Sequence, residues 1–158
     1  MPTLPQLLEE DIRELNRCLR ELLVKSEANT ALVIDKGGFV ITHVGEGENF
    51  DMVTLGALSA ASFAATEGIA GLVSERNFSS VYQQGEAFSL LVNNVDQYCL
   101  LTLIFAATTS VGAVKYFAAD TIKQVARQMS AAHCRAPDEG LDLSMLNVAD
   151  TAPFFRRK

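Results

Sequence analysis

The residues in this chain that could take part in catalysis or ligand binding are two histidines, three cysteines and those of one glycine-containing turn. His133 is followed by Cys134, but adjacent helical residues point about 100° apart, so the two cannot face each other as a catalytic pair. The segment Asp35-Lys36-Gly37-Gly38 resembles part of a phosphate loop. Neither GxxxxGK[ST] nor GxGxxG follows it, and a hairpin turn accounts for these residues.

The remaining ionisable residues do not form a site either. Glu67 and Glu75 lie on one helical segment, and no second carboxylate or histidine sits one turn away to complete an acid/base pair. Ligand spacing typical of a metal site is absent. Cys18, Cys99 and Cys134 are odd in number and far apart, which favours buried thiols. We expect no catalytic residue, no cofactor and no metal, and therefore a protein that is not an enzyme.

Composition limits the partners and the compartment. The chain has 158 residues, is 49% hydrophobic and carries a net charge of −6, which argues against nucleic acid or an anionic membrane as a partner. No basic and apolar leader is evident at the start. The uncharged run 97–114 is broken by Thr108-Thr109-Ser110 and Gly112. We expect a cytoplasmic protein without membrane insertion.

Hydrophobic periodicity predicts the order of the elements. A leucine stripe predicts a helix over 4–26, and two β-type runs at 30–34 and 39–43 predict a hairpin. A helix over 51–76 follows, capped by Asn49 or Asp51. Further strands are predicted at 81–83, 87–92 and 98–105, with a last helix from a cap at 108–110 to about His133. Short connections then give an α+β fold, α-β-β-α-β-β-β-α, with a five-stranded antiparallel sheet and helices on both faces, in a domain spanning 1–135.

The helix over 51–76 has two unlike apolar faces. One is bulky and predicted to cover the sheet: Leu55, Leu58, Ser62, Ala65, Ile69, Leu72 and Val73. The other is small: Val53, Gly56, Ala57, Ala60, Ala64, Gly68 and Gly71. Each helical glycine costs about 0.8–1.0 kcal/mol against alanine, so a compensating contact is expected. Small residues permit close helix approach, which predicts packing against a second helix outside this fold, in a homodimer or another protein.

Residues 136–158 are predicted to be a separate C-terminal tail, because periodicity fails after Ala136. One interpretation is a flexible terminus. The other is a docking segment whose apolar residues contact a partner: Leu141, Leu143, Met145, Leu146, Phe154 and Phe155.

The sequence resembles the roadblock (dynein light-chain) family. The resemblance rests on the element order, the hairpin motif 31–40 and the small-residue segment 60–66, and it covers about residues 4–135. The segment 82–86 and the tail are similar to those of the bacterial MglB-type members of that family, which regulate cell polarity. The family resemblance implies a homodimer in which the middle helices pair and the third strands join two sheets.

For an MglB-type member, the resemblance implies binding of a small Ras-like GTPase of the MglA type across the paired helices. It further implies that GTP hydrolysis is stimulated by repositioning the GTPase's own catalytic residues, without an arginine finger. The implied dimer or GTPase interface comprises Val53, Gly56, Ala57, Ala60, Phe63, Ala64, Glu67, Gly68 and Gly71, with Val81, Tyr82 and Gln83 at the third-strand edge.

Other functions are compatible with the same residues. A roadblock module can act as a scaffold that links components of a larger complex without affecting nucleotide turnover. A ligand-sensing domain of the profilin-like group is a third, weaker hypothesis. Arg76 has the best position for a finger, but a cation in the last helical turn is also stabilised by the helix dipole alone.

Overall fold

A computed structural model describes residues 4–46 and 49–135 of the chain. Its elements follow the predicted order, and their bounds are α1 Glu9–Ser26, β1 Thr30–Asp35, β2 Val40–Gly45, α2 Met52–Leu72, β3 Ser80–Gln84, β4 Phe88–Asn94, β5 Cys99–Ala106 and α3 Val111–Cys134. The expected α+β class and element order are confirmed. The tail 136–158 lies outside the described residues, so its predicted flexibility or docking stays a prediction.

The five strands form one antiparallel sheet in the order β2-β1-β5-β4-β3. The nearly continuous apolar run of β5 places it at the centre, where it is covered on both faces and all its residues except Ala106 are buried. Strands β2 and β3 are the two edges. The hairpin between β1 and β2 turns at Gly38, whose φ of +98° is a conformation that glycine adopts at little cost.

Helices α1 and α3 pack on one face of the sheet around the larger core. Leu15, Leu19 and Leu22 of α1 meet Val125 and Met129 of α3 over Phe105 and its neighbours. The leucine stripe that predicted α1 is therefore its core face. The helix begins at Glu9 and not near residue 4, because the Leu8 N–H donates to the Asp11 carboxylate (2.6 Å) while Leu8 itself is extended.

A buried ion pair links the start of α1 to the end of α3. The Asp11 side chain is 1% exposed and accepts two hydrogen bonds from the Arg135 guanidinium, at 2.8 and 2.9 Å, and one from Gln128 at 2.7 Å. The hydrogen bonds from Arg135 lower the pKa of Asp11 to about 2, against the opposing effect of burial. Arg135 is thereby held in place at the point where the tail leaves the domain.

Helix α2 covers the other face of the sheet over a smaller core of Leu32, Ile34, Ala60, Phe63, Val92 and Leu100. Asp51 caps this helix by accepting a hydrogen bond from the Thr54 N–H (3.1 Å), as predicted. Gly56 lies directly against the hairpin, since a Cβ there would stand 2.8 Å from Val40 Cγ2 and 3.1 Å from the Gly38 carbonyl oxygen. The close approach of α2 to β2 therefore requires glycine at position 56.

The predicted end of α2 is wrong by four residues. The helix ends at Leu72, and Ser74 turns the chain in a left-handed conformation with φ of +59°. Arg76 consequently lies in the loop before β3, exposed, and outside the last helical turn in which it was predicted.

Candidate functional site

An exposed apolar surface lies on the side of α2 that points away from the sheet. Every side chain there is exposed, and two of the largest, Leu58 and Leu72, are 63% and 85% exposed. We define the outer face of α2 as Ala57, Leu58, Ala61, Ala64, Ala65, Gly68, Ile69, Gly71 and Leu72. A helix that is apolar all round needs a covering element on both sides, and the described residues 4–46 and 49–135 supply only one.

This outer face differs from the predicted one. We expected Leu58, Ile69, Leu72 and Val73 to cover the sheet, but all four are exposed. Only Leu55 of the predicted bulky face packs against the smaller core, where it is partly buried. Side-chain bulk was therefore a poor guide to which side of the helix faces inward.

Three of the predicted interface residues face the chain's own sheet. Gly56 and Ala60 are buried against it, and Phe63, 2% exposed, is the largest α2 side chain in the smaller core. The reason is steric: branched side chains such as Ile34 and Leu100 fill the space beneath α2, so small residues bring the helix close. A residue buried in this way cannot also contact a second helix. Gly56, Ala60 and Phe63 are therefore removed from the external interface.

The other predicted interface residues on α2 remain exposed. Ala57, Ala64, Gly68 and Gly71 lie on the outer face, Val53 is exposed at the start of the helix and Glu67 at its side. A Cβ built at Gly68 or at Gly71 would have no atom within 4 Å in the described part of the chain. Nothing within the fold thus requires glycine at these two positions, in contrast to Gly56.

Strand β3 extends this surface to the edge of the sheet. Its backbone pairs with β4 on one side only, so the other side of Val81, Tyr82 and Gln83 is an unpaired strand edge. Val81 packs beneath α2 with the smaller core, whereas the Tyr82 ring stacks on Phe105 on the opposite face of the sheet. The predicted third-strand edge is therefore a real sheet edge, next to α2.

Helix α2 is also the one described helix that is long and apolar enough to cross a membrane by length and composition. Insertion into lipid would have to withdraw Phe63 and Ala60 from the smaller core, because they lie on the same helix. A contact with the outer face alone leaves that core intact.

The residues with chemical capacity are separated in space. His43 is exposed on β2, while His133 Nδ1 lies 3.1 Å from the Tyr98 hydroxyl at the end of α3. Cys18 and Cys99 are buried as expected, and burial raises the pKa of both thiols, but Cys134 is exposed, contrary to the expectation. No group of three or more potential metal ligands occurs within residues 4–46 and 49–135.

Two structural features were missed by the sequence analysis. One is the Asp11–Arg135 ion pair, whose partners are far apart in sequence and carry no local signal. The other is a polar cavity beside Glu67, in which the Lys36 ammonium lies 3.9 Å from the Glu67 carboxylate. The predicted tail residues from Leu141 to Phe155 lie outside the described residues.

Comparison with solved structures identifies proteins of the same fold at appreciable sequence identity. A structure described as MglB with tetrameric arrangement is 30% identical, with a TM-score of 0.77, covering 84% of this chain and 99% of that one. The gliding protein MglB of Thermus thermophilus is 29% identical, with a TM-score of 0.76, covering 83% and 99%. Myxococcus xanthus MglB is 25% identical, with a TM-score of 0.76, covering 83% and 98%.

Sequence comparison points to the same family. No functionally curated protein matches the chain. The family model of the Roadblock/LC7 domain matches residues 15–105, which include the hairpin, α2 and the three following strands. The chain belongs to the Roadblock/LC7 family.

Proposed function

We propose that this chain is a cytoplasmic, homodimeric regulator of a small Ras-like GTPase of the MglA type. The observation that carries the proposal is the outer face of α2, an exposed apolar surface on which a Cβ added at Gly68 or Gly71 would meet no atom of residues 4–46 and 49–135 within 4 Å. The similarity to MglB structures over nearly their whole length supports the choice of partner class.

Dimerisation through α2 accounts for the glycines. If the α2 helices of two copies pair along Ala57, Ala64, Gly68 and Gly71, their backbones can approach to about 8 Å, the short end of the usual range. The dispersion gained by close packing then offsets the helix propensity lost at the two glycines. The free edges of β3 in the two copies can pair at the same time, which would join the two sheets.

The GTPase is proposed to bind across the paired helices. The exposed leucines and isoleucine that flank the small residues, Leu58, Ile69 and Leu72, offer apolar anchors for a partner on this surface. Hydrolysis is accelerated in this proposal by repositioning the GTPase's own catalytic residues, and this chain donates no residue to the nucleotide.

Single-turnover GTP hydrolysis by a small GTPase of the MglA type tests the proposal. We expect saturating protein to accelerate hydrolysis and Leu58→Asp to abolish the acceleration, with Val24→Asp on the exposed side of α1 as the matched control. Binding without acceleration would instead favour the scaffold function. If the GTPase neither binds nor is accelerated, the proposed function is wrong.

A further inference from the structure

A groove lies between α1 and α3, on the face of the sheet opposite to α2. The two helices are antiparallel, because Asp11 at the start of α1 accepts hydrogen bonds from Arg135 just after α3. The end of α1 therefore lies beside the start of α3, where two adjoining spaces of about 270 and 210 Å³ share Glu21 and Lys25 in their walls. We define the α1–α3 groove by six residues that line these spaces: Arg20, Glu21, Val24, Lys25, Tyr116 and Phe117.

Two large apolar side chains are exposed at this groove. Val24 on α1 is 82% exposed and Tyr116 on α3 is 76% exposed. The Tyr116 ring meets the Phe117 ring edge-on, with the ring centroids 5.2 Å apart, and Phe117 itself packs against the larger core. Tyr116 is thereby held beside the groove, and an apolar side chain entering the groove would remove both exposed residues from water.

Four cations surround these apolar side chains. Arg20 and Lys25 line the groove on the α1 side. Lys115 and Lys123 are exposed on α3, in the part of the helix that contributes residues 116–124 to the groove. None of the four forms an ion pair with a residue of 4–46 or 49–135. Their charges are therefore available to a partner.

The carboxylates nearby do not neutralise these cations. Glu21 is already paired, since its carboxylate lies 2.6 Å from Arg17 Nη1, which leaves Asp120 as the other carboxylate that lines the two spaces. The described residues outside 9–26 and 111–135 carry eight acidic side chains and two basic ones. The α1–α3 groove is thus a positively charged surface on an acidic protein, and it would direct a negatively charged partner to this face.

A helix is the element that fits between α1 and α3. The ridges of two adjacent helices form a groove in which a third helix can pack at about 20° to them. A helix in such a groove is anchored by apolar side chains at i, i+3 or i+4, and i+7. Recessed spaces accept individual side chains of this kind, whereas the headgroup layer of a membrane would leave them unfilled.

We propose that the α1–α3 groove binds an acidic amphipathic helix of a partner protein. The apolar side chains of that helix contact Val24 and Tyr116, and its carboxylates lie beside the four unpaired cations. Because the groove and the outer face of α2 lie on opposite faces of the sheet, both can be occupied at once. The proposal therefore does not depend on the GTPase.

A designed peptide of about 18 residues, long enough to form a helix, serves as the probe. It carries leucine at i, i+3, i+4 and i+7, glutamate beside this apolar stripe, and a fluorophore for anisotropy measurements with the full-length protein. A matched peptide has lysine in place of each glutamate. We expect the acidic peptide to bind at least about tenfold more tightly than the lysine peptide. Equal affinities, or no binding of the acidic peptide up to about 1 mM, would overturn the proposal.

Two double variants of equal charge locate the electrostatic contact. Arg20→Gln with Lys25→Gln removes two cations from the groove, and we expect it to weaken binding of the acidic peptide at least about fivefold. Lys36→Gln with Arg76→Gln removes the two described cations outside α1, α3 and Arg135, and should leave binding within about twofold. Equal effects of the two double variants would show attraction to the net charge of the protein and contradict the proposal.

A second matched pair locates the apolar contact. Val24→Asp places a carboxylate in the groove, and we expect it to weaken binding of the acidic peptide at least about tenfold. Leu58→Asp places the same group on the outer face of α2 and should leave peptide binding unchanged. Both positions are exposed, so both variants should remain folded. If Leu58→Asp weakened binding as much as Val24→Asp, the peptide would not bind between α1 and α3.

Two further measurements distinguish other occupants of the groove. The first is cosedimentation of the wild type with vesicles that contain about 30% phosphatidylserine. Binding to these vesicles that is lost in Arg20→Gln with Lys25→Gln would assign the groove to a membrane. The second is sedimentation of this double variant alone. An oligomeric state below that of the wild type would assign the groove to a second copy. We expect neither result, and either one would overturn the proposal.

Discussion

The lowered pKa of Asp11 makes the free energy of unfolding of the domain depend on pH. Its pKa is lowered to about 2 in the folded state, chiefly by the hydrogen bonds from Arg135. The resulting stabilisation is complete above the ordinary pKa of 3.8 and is lost as the pH falls through the folded value. The difference between the ordinary pKa of Asp11 and its pKa in the folded state corresponds to about 2 kcal/mol in the free energy of unfolding.

We therefore predict that Asp11→Asn destabilises the domain most at pH 6. Its deficit relative to the wild type, measured by urea unfolding, should shrink by about 2 kcal/mol between pH 5 and pH 2. Glu10→Gln removes a charge from the neighbouring exposed position and serves as the control. A deficit that stays constant over this range would mean that the Asp11 charge is not what stabilises the pair.

Arg76 tests whether the chain donates a finger. An inserted arginine finger typically contributes roughly 10³–10⁵ to the rate of GTP hydrolysis. Arg76 is exposed in the loop after α2, beyond the outer face. We predict that Arg76→Ala loses less than about tenfold of the acceleration, which is roughly 1.4 kcal/mol in the barrier. A thousandfold loss in single-turnover hydrolysis at saturating protein would instead establish a finger.

The glycines of α2 allow its packing on the sheet and its proposed pairing with a second copy to be tested separately. We predict that Gly56→Ala destabilises the domain by about 1–3 kcal/mol, because the added methyl group would overlap Val40. Gly68→Ala should add about 0.8–1.0 kcal/mol to the stability of the monomer, since its surroundings are open. In a dimer packed on Gly68 the same methyl group should weaken self-association.

Chemical denaturation of dilute protein measures the first two effects, and sedimentation measures the third. Gly71→Ala, at a second open position on the same face, is expected to behave like Gly68→Ala. Should Gly68→Ala stabilise the monomer and leave association unchanged, the dimer would not pack at this point.

The buried face of an element could be predicted where the hydrophobic periodicity of the sequence allows only one apolar side. The stripe of α1 has a single apolar side, so Leu15, Leu19 and Leu22 could be assigned to the core, and the uninterrupted apolar run of β5 indicated a central strand. Helix α2 is apolar on both sides. Its orientation is decided by the shape of the sheet beneath it, where Gly56 and Phe63 fit and Leu58 does not, and that shape depends on residues from all five strands. The Asp11–Arg135 pair likewise depends on tertiary structure alone.

At the scale of the whole molecule, the proposed pairing of two outer faces predicts that folding and association are coupled. A folded dimer that dissociates on unfolding has a melting temperature that rises with protein concentration. We predict this rise for the wild type between micromolar and hundreds of micromolar protein, because pairing along Ala57, Ala64, Gly68 and Gly71 would bury apolar area that is exposed in the isolated domain. A monomer would show no such dependence.

The variant Ala64→Glu tests whether association occurs through α2. Position 64 lies on the outer face beside Gly68, and a carboxylate buried there without a partner would strongly disfavour the dimer. We predict that Ala64→Glu abolishes the concentration dependence while the far-ultraviolet circular dichroism stays that of a folded domain, since the smaller core around Phe63 is untouched. Ala119→Glu, on an exposed position of α3, is the matched control and should retain the dependence. If Ala64→Glu retained the concentration dependence as Ala119→Glu does, self-association would occur through a surface other than α2. The outer face would then be available to the GTPase alone.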